Sequence, residues 1–191
     1  AFIAGGRAAG SWHASPRGVV AREAAKRKTA GTLKNQVMDG DIIFLKGHLG
    51  NYINAEPGAD EVKSRAAIKA DRATWIIEKA EGGGINANDI VQLRGFRGGY
   101  MDVTGDIVRM KRTDRGRCKG FVITKGNAPK TGKTDYSAVC FDDIVYFRAN
   151  GERHTYLDVE GQDVRARWPD EGKWQVMTIE DDEGRVEPDR R

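Results

Sequence analysis

A few residues of this chain have types and spacing that could carry out chemistry. The segment 126–134 comes close to the phosphate-binding P-loop, a Gly-rich turn followed by Lys and Thr. It has five residues between its glycines where the motif needs four, and Pro129 lies where backbone amides would be required. No helix-forming stretch follows to direct a positive helix end at a phosphate. We therefore interpret this segment as a basic loop.

Cys118 is the candidate nucleophile. Three basic residues lie within positions 115–119, and their charges would lower the pKa of this thiol and favour the thiolate. No partner base stands nearby, and Cys140 lies among apolar neighbours as a small core residue. Two cysteines are too few for the disulfide framework of a small secreted domain, so both are predicted to be free thiols.

The remaining candidates lack the partners that catalysis or metal binding needs. His13, His48 and His154 show no metal-ligand spacing with each other or with the cysteines. The chain also contains no Ser/His/Asp set, no paired acid and base, and no dinucleotide fingerprint. The sequence therefore predicts a protein that is not an enzyme and has no metal site and no cofactor.

One hairpin concentrates positive charge that a partner could bind. An acidic protein, anionic lipid headgroups or phosphate would suit it, and a solvated hairpin is the alternative. Few aromatic residues are interleaved, and the net charge of +4 is modest, which argues against nucleic-acid binding. The basic residues of this hairpin are Arg109, Lys111, Arg112, Arg115, Arg117 and Lys119.

Residues 1–38 form a second basic stretch, an extended N-terminal arm whose only acid is Glu23. This Gly/Ala-rich arm cannot build a core, so we expect it to be disordered or laid along a partner. Its composition resembles the residual end of an organelle-targeting sequence, which predicts an organelle, a plastid before a mitochondrion, with the cytoplasm or a cloned fragment as alternatives. Its predicted partner-binding residues are Arg7, Arg17, Arg22, Lys26, Arg27 and Lys28.

The β-strands that must position these residues are predicted from a sequence pattern that occurs three times in the chain. Each copy opens on Asp, continues through β-branched and apolar residues to a base, and reaches a Gly-rich turn and a Tyr-led second strand. A third strand begins with Val, and a fourth opens on Trp75, Phe121 or Trp174. The opening residues are Asp41, Asp89 and Asp143 for the first strands, Tyr52, Tyr100 and Tyr156 for the second, and Val62, Val108 and Val164 for the third.

Alternation along the first strands predicts which side chains face inward. The inward pairs are Ile43 and Leu45, Val91 and Leu93, and Val145 and Phe147. The recurring Asp at the start of each first strand is expected to accept hydrogen bonds from amides of the preceding turn. Asn54, Asp102 and Asp158, which share one place in the second strands, are expected to serve the next turn.

Three such copies can close a shared core that no single copy could bury. The predicted fold is therefore all-β, a β-trefoil of three four-stranded repeats with an extended basic N-terminal arm. The trefoil spans residues 39–180, with repeats at about 40–80, 88–126 and 142–180. Residues 181–191 are charged and are predicted to be a solvated tail.

The repeat resembles that of the fascin-like β-trefoils, which include the hisactophilin-type actin-binding proteins. The matching segments are Gly50–Ile53, Gly99–Met101 and Thr155–Leu157 for the second strand, and Val164–Arg167 for the third. This resemblance implies the β-trefoil fold and an actin-binding module. The histidine-rich turns of hisactophilin are absent, and so is the Gln-x-Trp signature of ricin-type sugar-binding trefoils, since Ala73 and Gly172 stand in that place.

These observations favour a non-enzymatic binding or scaffold protein. The leading hypothesis is an accessory structural subunit docked on a larger complex, for example a photosynthetic complex of an organellar membrane. Other subunits would contact the arm and the basic hairpin, and an anionic membrane surface could contribute. The alternative is a fascin-like actin-binding or carbohydrate-binding module. No apolar run approaches the roughly 20 residues that span a bilayer, so no transmembrane segment is predicted.

Overall fold

The chain folds into twelve β-strands, four from each repeat, in a computed structural model that describes residues 35–56, 60–112, 115–126, 137–151 and 153–184. Two short 3-10 turns, Asp71–Ala73 and Arg115–Arg117, precede the fourth strands of the first two repeats. The strands are β1 (Ile42–Gly47), β2 (Tyr52–Ala55), β3 (Val62–Ala66), β4 (Trp75–Lys79), β5 (Ile90–Gly95), β6 (Tyr100–Thr104), β7 (Ile107–Arg112), β8 (Phe121–Lys125), β9 (Ile144–Ala149), β10 (Tyr156–Glu160), β11 (Asp163–Trp168) and β12 (Met177–Glu180).

Six of these strands form a closed antiparallel barrel. β1 pairs with β4 and β12, β4 with β5, β5 with β8, β8 with β9, and β9 with β12. The other six form the hairpins β2–β3, β6–β7 and β10–β11, which follow the same ends of β1, β5 and β9. β11 also pairs with β3 and β7, so the hairpins meet each other. This arrangement confirms the predicted β-trefoil, in which closure removes the exposed sheet edges.

The barrel is filled by the residues that alternation predicted to face inward. All six of those side chains are fully buried, and the rings of Phe121 and Phe147 meet edge to face with centroids 6.2 Å apart. Burial of large apolar side chains on one face of every barrel strand supplies the main stabilisation of such a core.

The recurring Asp at each first strand has the predicted structural role. A carboxylate oxygen of Asp41, Asp89 or Asp143 accepts a hydrogen bond from the amide three residues earlier, at 2.8, 2.8 and 2.7 Å. Lys79 and Lys125 add ion pairs to Asp89 and Asp143 at 2.8 and 2.7 Å. These acids therefore fix the turns that lead into β1, β5 and β9.

The predicted start of the last strand was wrong. Trp174 lies in a turn with 37% of its surface exposed, and β12 begins at Met177. Met177 pairs in register with Gly47, as Trp75 pairs with Gly95. Spacing explains the error, because Trp75, Phe121 and Met177 each stand 13 positions after the third-strand valine of their repeat. Residue type had pointed to Trp174, but the constant spacing points to Met177.

The expected role in the following turn was wrong for Asp158 and was confirmed only in part for Asn54, whose Nδ2 donates to Glu56 Oε1 at 2.7 Å. Asn54 Oδ1 accepts a hydrogen bond from the backbone amide of Arg65 at 3.1 Å, and Asp158 Oδ1 accepts one from that of Arg167 at 3.2 Å. Both side chains are fully buried. The Oδ1 atoms of both side chains therefore accept hydrogen bonds across the hairpin, from the third strand. The expectation for Asp102, in register with Arg109, stays a prediction.

Candidate ligand site in the third repeat

The described side chains of the predicted basic hairpin are those of Arg109, Arg115 and Lys119, and all three are exposed. Arg115 donates from Nε to Gln92 Oε1 at 2.8 Å. Arg115 also lies 3.7 Å from a carboxylate oxygen of Glu78. The described side chains do not include those of Lys111, Arg112 and Arg117, nor those of the predicted arm residues Arg7, Arg17, Arg22, Lys26, Arg27 and Lys28. Positions 127–136 of the basic loop likewise lie outside the described residues.

Neither cysteine forms a disulfide; Cys118 is buried, whereas Cys140, predicted to be a core residue, is only partly buried. Cys118 is 7% exposed, and its carbonyl accepts a hydrogen bond from Gln92 Nε2 at 2.9 Å. Burial and the charge of Asp143 raise the pKa of Cys140, against the opposing effect of Lys125. Burial of Cys118 and the raised pKa of Cys140 both differ from the exposed, low-pKa thiol that a nucleophile requires.

A Tyr, a base and an acid meet outside the barrel in the first repeat. The Tyr52 hydroxyl donates to Glu180 Oε2 at 2.9 Å, while Lys46 and Lys69 lie 3.5 and 3.1 Å from the same carboxylate. Burial alone would raise the pKa of Glu180, but hydrogen bonds from Lys69 and Tyr52 lower it overall. The cluster is therefore satisfied within the chain.

The second repeat builds the same cluster from equivalent positions. The Tyr100 hydroxyl donates to Glu78 Oε2 at 2.9 Å, and Arg94 Nε donates to Glu78 Oε1 at 2.6 Å. One carboxylate thus receives a tyrosine hydroxyl on one oxygen and a guanidinium on the other. Charge-assisted bonds of this kind are the strong ones in proteins.

The first-repeat cluster predicts a loss of stability in alkali. Burial, followed by the hydrogen bond to Glu180, raises the pKa of Tyr52 to about 12 from its usual 10. The neutral phenol therefore stabilises the fold below pH 10, and this contribution disappears as the pH rises to 12. We expect Tyr52→Phe to cost about 1 kcal/mol at neutral pH, because one hydrogen bond is lost.

Urea unfolding of both proteins from pH 10 to pH 12 checks this expectation. The wild-type protein should lose more stability over that interval than Tyr52→Phe does. Lysines titrate over the same interval in both proteins, so the difference between the two isolates the phenol. Equal losses would contradict the assignment.

The third repeat keeps the Tyr and the base of this cluster but replaces its acid. Tyr156 and Arg148 are in register, as Tyr100 and Arg94 are. Thr124 occupies the place of the acid, since it stands three positions after Phe121 as Glu78 stands after Trp75. The Nε atom of Arg148 is buried and has no hydrogen-bond partner in the described part of the chain. The third cluster therefore lacks the strand carboxylate that the base has in the other two.

Aromatic side chains surround this incomplete cluster. The rings of Tyr146 and Tyr156 meet edge to face with centroids 6.3 Å apart. Tyr156 is in register with Trp168, which is 46% exposed, whereas the equivalent partner of Tyr52 is the buried Ala66. The third repeat thus places an exposed indole where the first repeat has a small buried residue.

An acid from the loop after β11 completes the surroundings. Thr124 Oγ1 donates to Glu171 Oε1 at 2.9 Å. Burial and the charge of Glu171 raise the pKa of Tyr146. Burial first, then the charge of Glu171 and a hydrogen bond to it, raise the pKa of Tyr156, while Arg148 and Thr124 oppose the shift. Both phenols are therefore neutral hydrogen-bond donors at physiological pH.

These six residues define what we call the third-repeat site. It offers a partly exposed indole with the Arg167 guanidinium 5.9 Å from its ring centroid, two phenols, a hydroxyl, a carboxylate, and a guanidinium whose buried Nε has no hydrogen-bond partner in the described part of the chain. Such a mixture of aromatic surface and a few placed polar groups suits a small ligand held without covalent chemistry. The site consists of Thr124, Tyr146, Arg148, Tyr156, Trp168 and Glu171.

Sequence reasoning did not single out this site. The sequence analysis predicted Tyr156 only as the first residue of a second strand, and it predicted no role for Trp168. The available signal was a break in the repeat, because the fourth strands carry Glu78 and Glu180 where β8 carries Thr124. No break in the repeat pattern marks Glu171, which joins the site from a loop.

Comparison with known proteins supports the fold. No family model and no curated protein matches the chain. Among solved structures it is similar to an SDF2-like protein from Arabidopsis thaliana, at 10% identity and a TM-score of 0.62, over 75% of this chain and 94% of that chain.

Two further structures share the architecture. One is the S. cerevisiae protein O-mannosyltransferase Pmt1-Pmt2 complex bound to the sugar donor, at 13% identity and a TM-score of 0.60; the match covers 81% of this chain and 27% of that chain. The other is SeviL bound to asialo-GM1 saccharide, at 11% identity and a TM-score of 0.52, over 74% of this chain and 98% of that chain. At these identities the likeness shows a β-trefoil protein and no more, so the fascin-like assignment stays a prediction. Within the described residues, no helix is long and apolar enough to cross a membrane.

Proposed function

We propose that this chain is a non-enzymatic carbohydrate-binding β-trefoil module that holds a sugar at the third-repeat site. The observation that carries the proposal is the exposed Trp168 beside the Tyr146–Tyr156 pair. A sugar ring presents an apolar C–H face, which packs on an aromatic ring, and a rim of hydroxyls, which needs donors and acceptors. The third-repeat site supplies both kinds of contact side by side.

Two structural neighbours support the class of ligand. One is described with a sugar donor and the other with a saccharide. The absent Gln-x-Trp signature argues only against the ricin-type arrangement, because the residues proposed here lie elsewhere in the repeat. Glu171 and the phenols of Tyr146 and Tyr156 would accept and donate the hydrogen bonds that orient the hydroxyls.

The other functional hypotheses rest on different parts of the chain. The accessory-subunit role, its organellar setting and its membrane contact depend on residues 1–38 and on the basic hairpin, so they stay predictions. Actin binding depends on the fascin-like resemblance and also stays a prediction. Co-sedimentation of the full chain with actin filaments tests it directly.

Substitution of Trp168 is the test of the proposed function. On a glycan array, we expect the full chain to bind a defined set of glycans and Trp168→Ala to bind them at least about tenfold more weakly, because the stacking surface is lost. Trp174→Ala is the matched control, since Trp174 is also an exposed indole but is not one of the six residues of the third-repeat site. Unchanged binding by Trp168→Ala, or no glycan binding by the wild-type chain, would refute the proposal.

A further inference from the structure

We infer that the third-repeat site selects sugars that carry a carboxylate, such as uronic or sialic acid residues, and that Arg148 receives the carboxylate. This inference rests on the proposed function and names the chemical class of its ligand. It comes from the difference between the third repeat and the other two.

The base of each cluster needs a negative partner. Lys46 and Arg94 have one, in Glu180 and Glu78. Thr124 removes that partner from the third repeat and leaves the Nε atom of Arg148 buried without a hydrogen bond in the described part of the chain. A desolvated polar group without a partner is costly, so a ligand that satisfies it gains affinity.

The second repeat shows the shape that such a ligand group would have. Glu78 accepts from Arg94 Nε through one carboxylate oxygen and from the Tyr100 hydroxyl through the other. Arg148 and Tyr156 have the same register as Arg94 and Tyr100. A planar carboxylate from outside would therefore complete in the third repeat the arrangement that Glu78 completes in the second.

A sugar acid matches the rest of the third-repeat site as well. Its carboxylate is attached directly to the pyranose ring, so the ring would lie within a few bond lengths of Arg148. Tyr156 is in register with both Arg148 and Trp168, so the guanidinium and the indole belong to the two strands that flank the phenol. One ring can then engage the guanidinium with its acid and the aromatic side chains with its C–H face.

Glu171 sets a condition on this arrangement. Its carboxylate accepts from Thr124 and hydrogen bonds to Tyr156, so an incoming carboxylate competes with it for the phenol. Glu171 is exposed on the loop after β11. We therefore expect Glu171→Gln to strengthen binding of acidic sugars, because one repelling charge is removed.

The test compares acidic sugars with their neutral counterparts on the full chain by titration calorimetry. The probes are uronic acid oligosaccharides and sialylated glycans, each paired with its carboxyl-reduced form, together with a sulfated neutral glycan. The variants are Arg148→Met, which removes the charge, and Thr124→Glu, which restores the internal acid of the other repeats. Arg109→Met is the control, since Arg109 is an exposed base of the hairpin outside this site.

We expect Arg148→Met and Thr124→Glu to weaken binding of the acidic sugars at least about tenfold more than they weaken binding of the carboxyl-reduced forms. Arg109→Met should change neither. Thr124→Glu deletes no contact of Arg148, so it keeps the test decisive if Arg148→Met fails to fold.

Three results would overturn the inference. The first is that the wild-type chain binds only neutral sugars, which would leave the proposed function intact. The second is that Arg148→Met and Thr124→Glu both bind acidic sugars as tightly as the wild-type chain does. Tighter binding of sulfated glycans than of carboxylated ones would also overturn it, because the site would then recognise anionic groups in general and not carboxylates. Failure of the proposed function would be seen in a different result, because glycan binding would then be absent from the wild-type chain or unchanged in Trp168→Ala.

Discussion

Trp75→Ala is expected to lower the free energy of unfolding by about 3–5 kcal/mol, the usual cost of truncating a large buried aromatic side chain. Trp75 is fully buried, and its Nε1 donates to the Ile53 carbonyl at 2.9 Å. The substitution leaves a cavity at the start of β4 and also removes the partner of that carbonyl. A domain with the usual stability of about 5–15 kcal/mol would lose a large part of it.

Trp174→Ala is the control for this substitution, because the sequence pattern predicted that Trp75 and Trp174 each begin the fourth strand of a repeat. Trp174 lies in a turn and is 37% exposed, so its loss should cost about 1 kcal/mol or less. Equilibrium unfolding in urea, followed by far-UV circular dichroism, measures both variants without relying on tryptophan emission. Equal costs would contradict the assignment of Met177 as the residue equivalent to Trp75.

The trefoil could be predicted because its sequence signal is local and repeated. Alternation with period two placed Ile43, Leu45 and their counterparts on the inward face, and three copies of one pattern implied a shared core. The aspartates before β1, β5 and β9 could be interpreted correctly because their bonds reach only three residues back along the chain. Trp174 was misassigned because its residue type was weighed above its spacing.

The third-repeat site could not be predicted in the same way, because its contacts join different strands and repeats. Glu78 on β4 reaches Arg94 on β5, two positions along from its register partner Gln92, and Thr124 on β8 has the same diagonal relation to Arg148 on β9. These pairings are set by closure of the barrel, which no local pattern records. Glu171 comes from a loop whose path depends on packing.

The second large effect is expected at Asp158, a fully buried carboxylate in β10. It accepts hydrogen bonds from the backbone amide, Nε and Nη2 of Arg167, whose Nη1 donates to Glu160 at 2.7 Å. These bonds, against the opposing effect of burial, raise the pKa of Arg167. Asp158→Ala leaves the backbone amide, Nε and Nη2 of Arg167 without their acceptor, and only Nη1 keeps its bond to Glu160. We expect it to cost about 3 kcal/mol, because removing one member of a buried pair strands the other.

Asp158→Asn separates the backbone contribution from that of the charge. The first repeat has Asn54 in this place, where Oδ1 accepts from the Arg65 amide and Nδ2 donates to Glu56 at 2.7 Å. An amide therefore satisfies the same strand position, so Asp158→Asn should cost about half as much as Asp158→Ala. Urea unfolding of both variants gives the two values. If Asp158→Asn were as damaging as Asp158→Ala, the charge on Asp158 and not its backbone acceptor would be what holds β10 to β11.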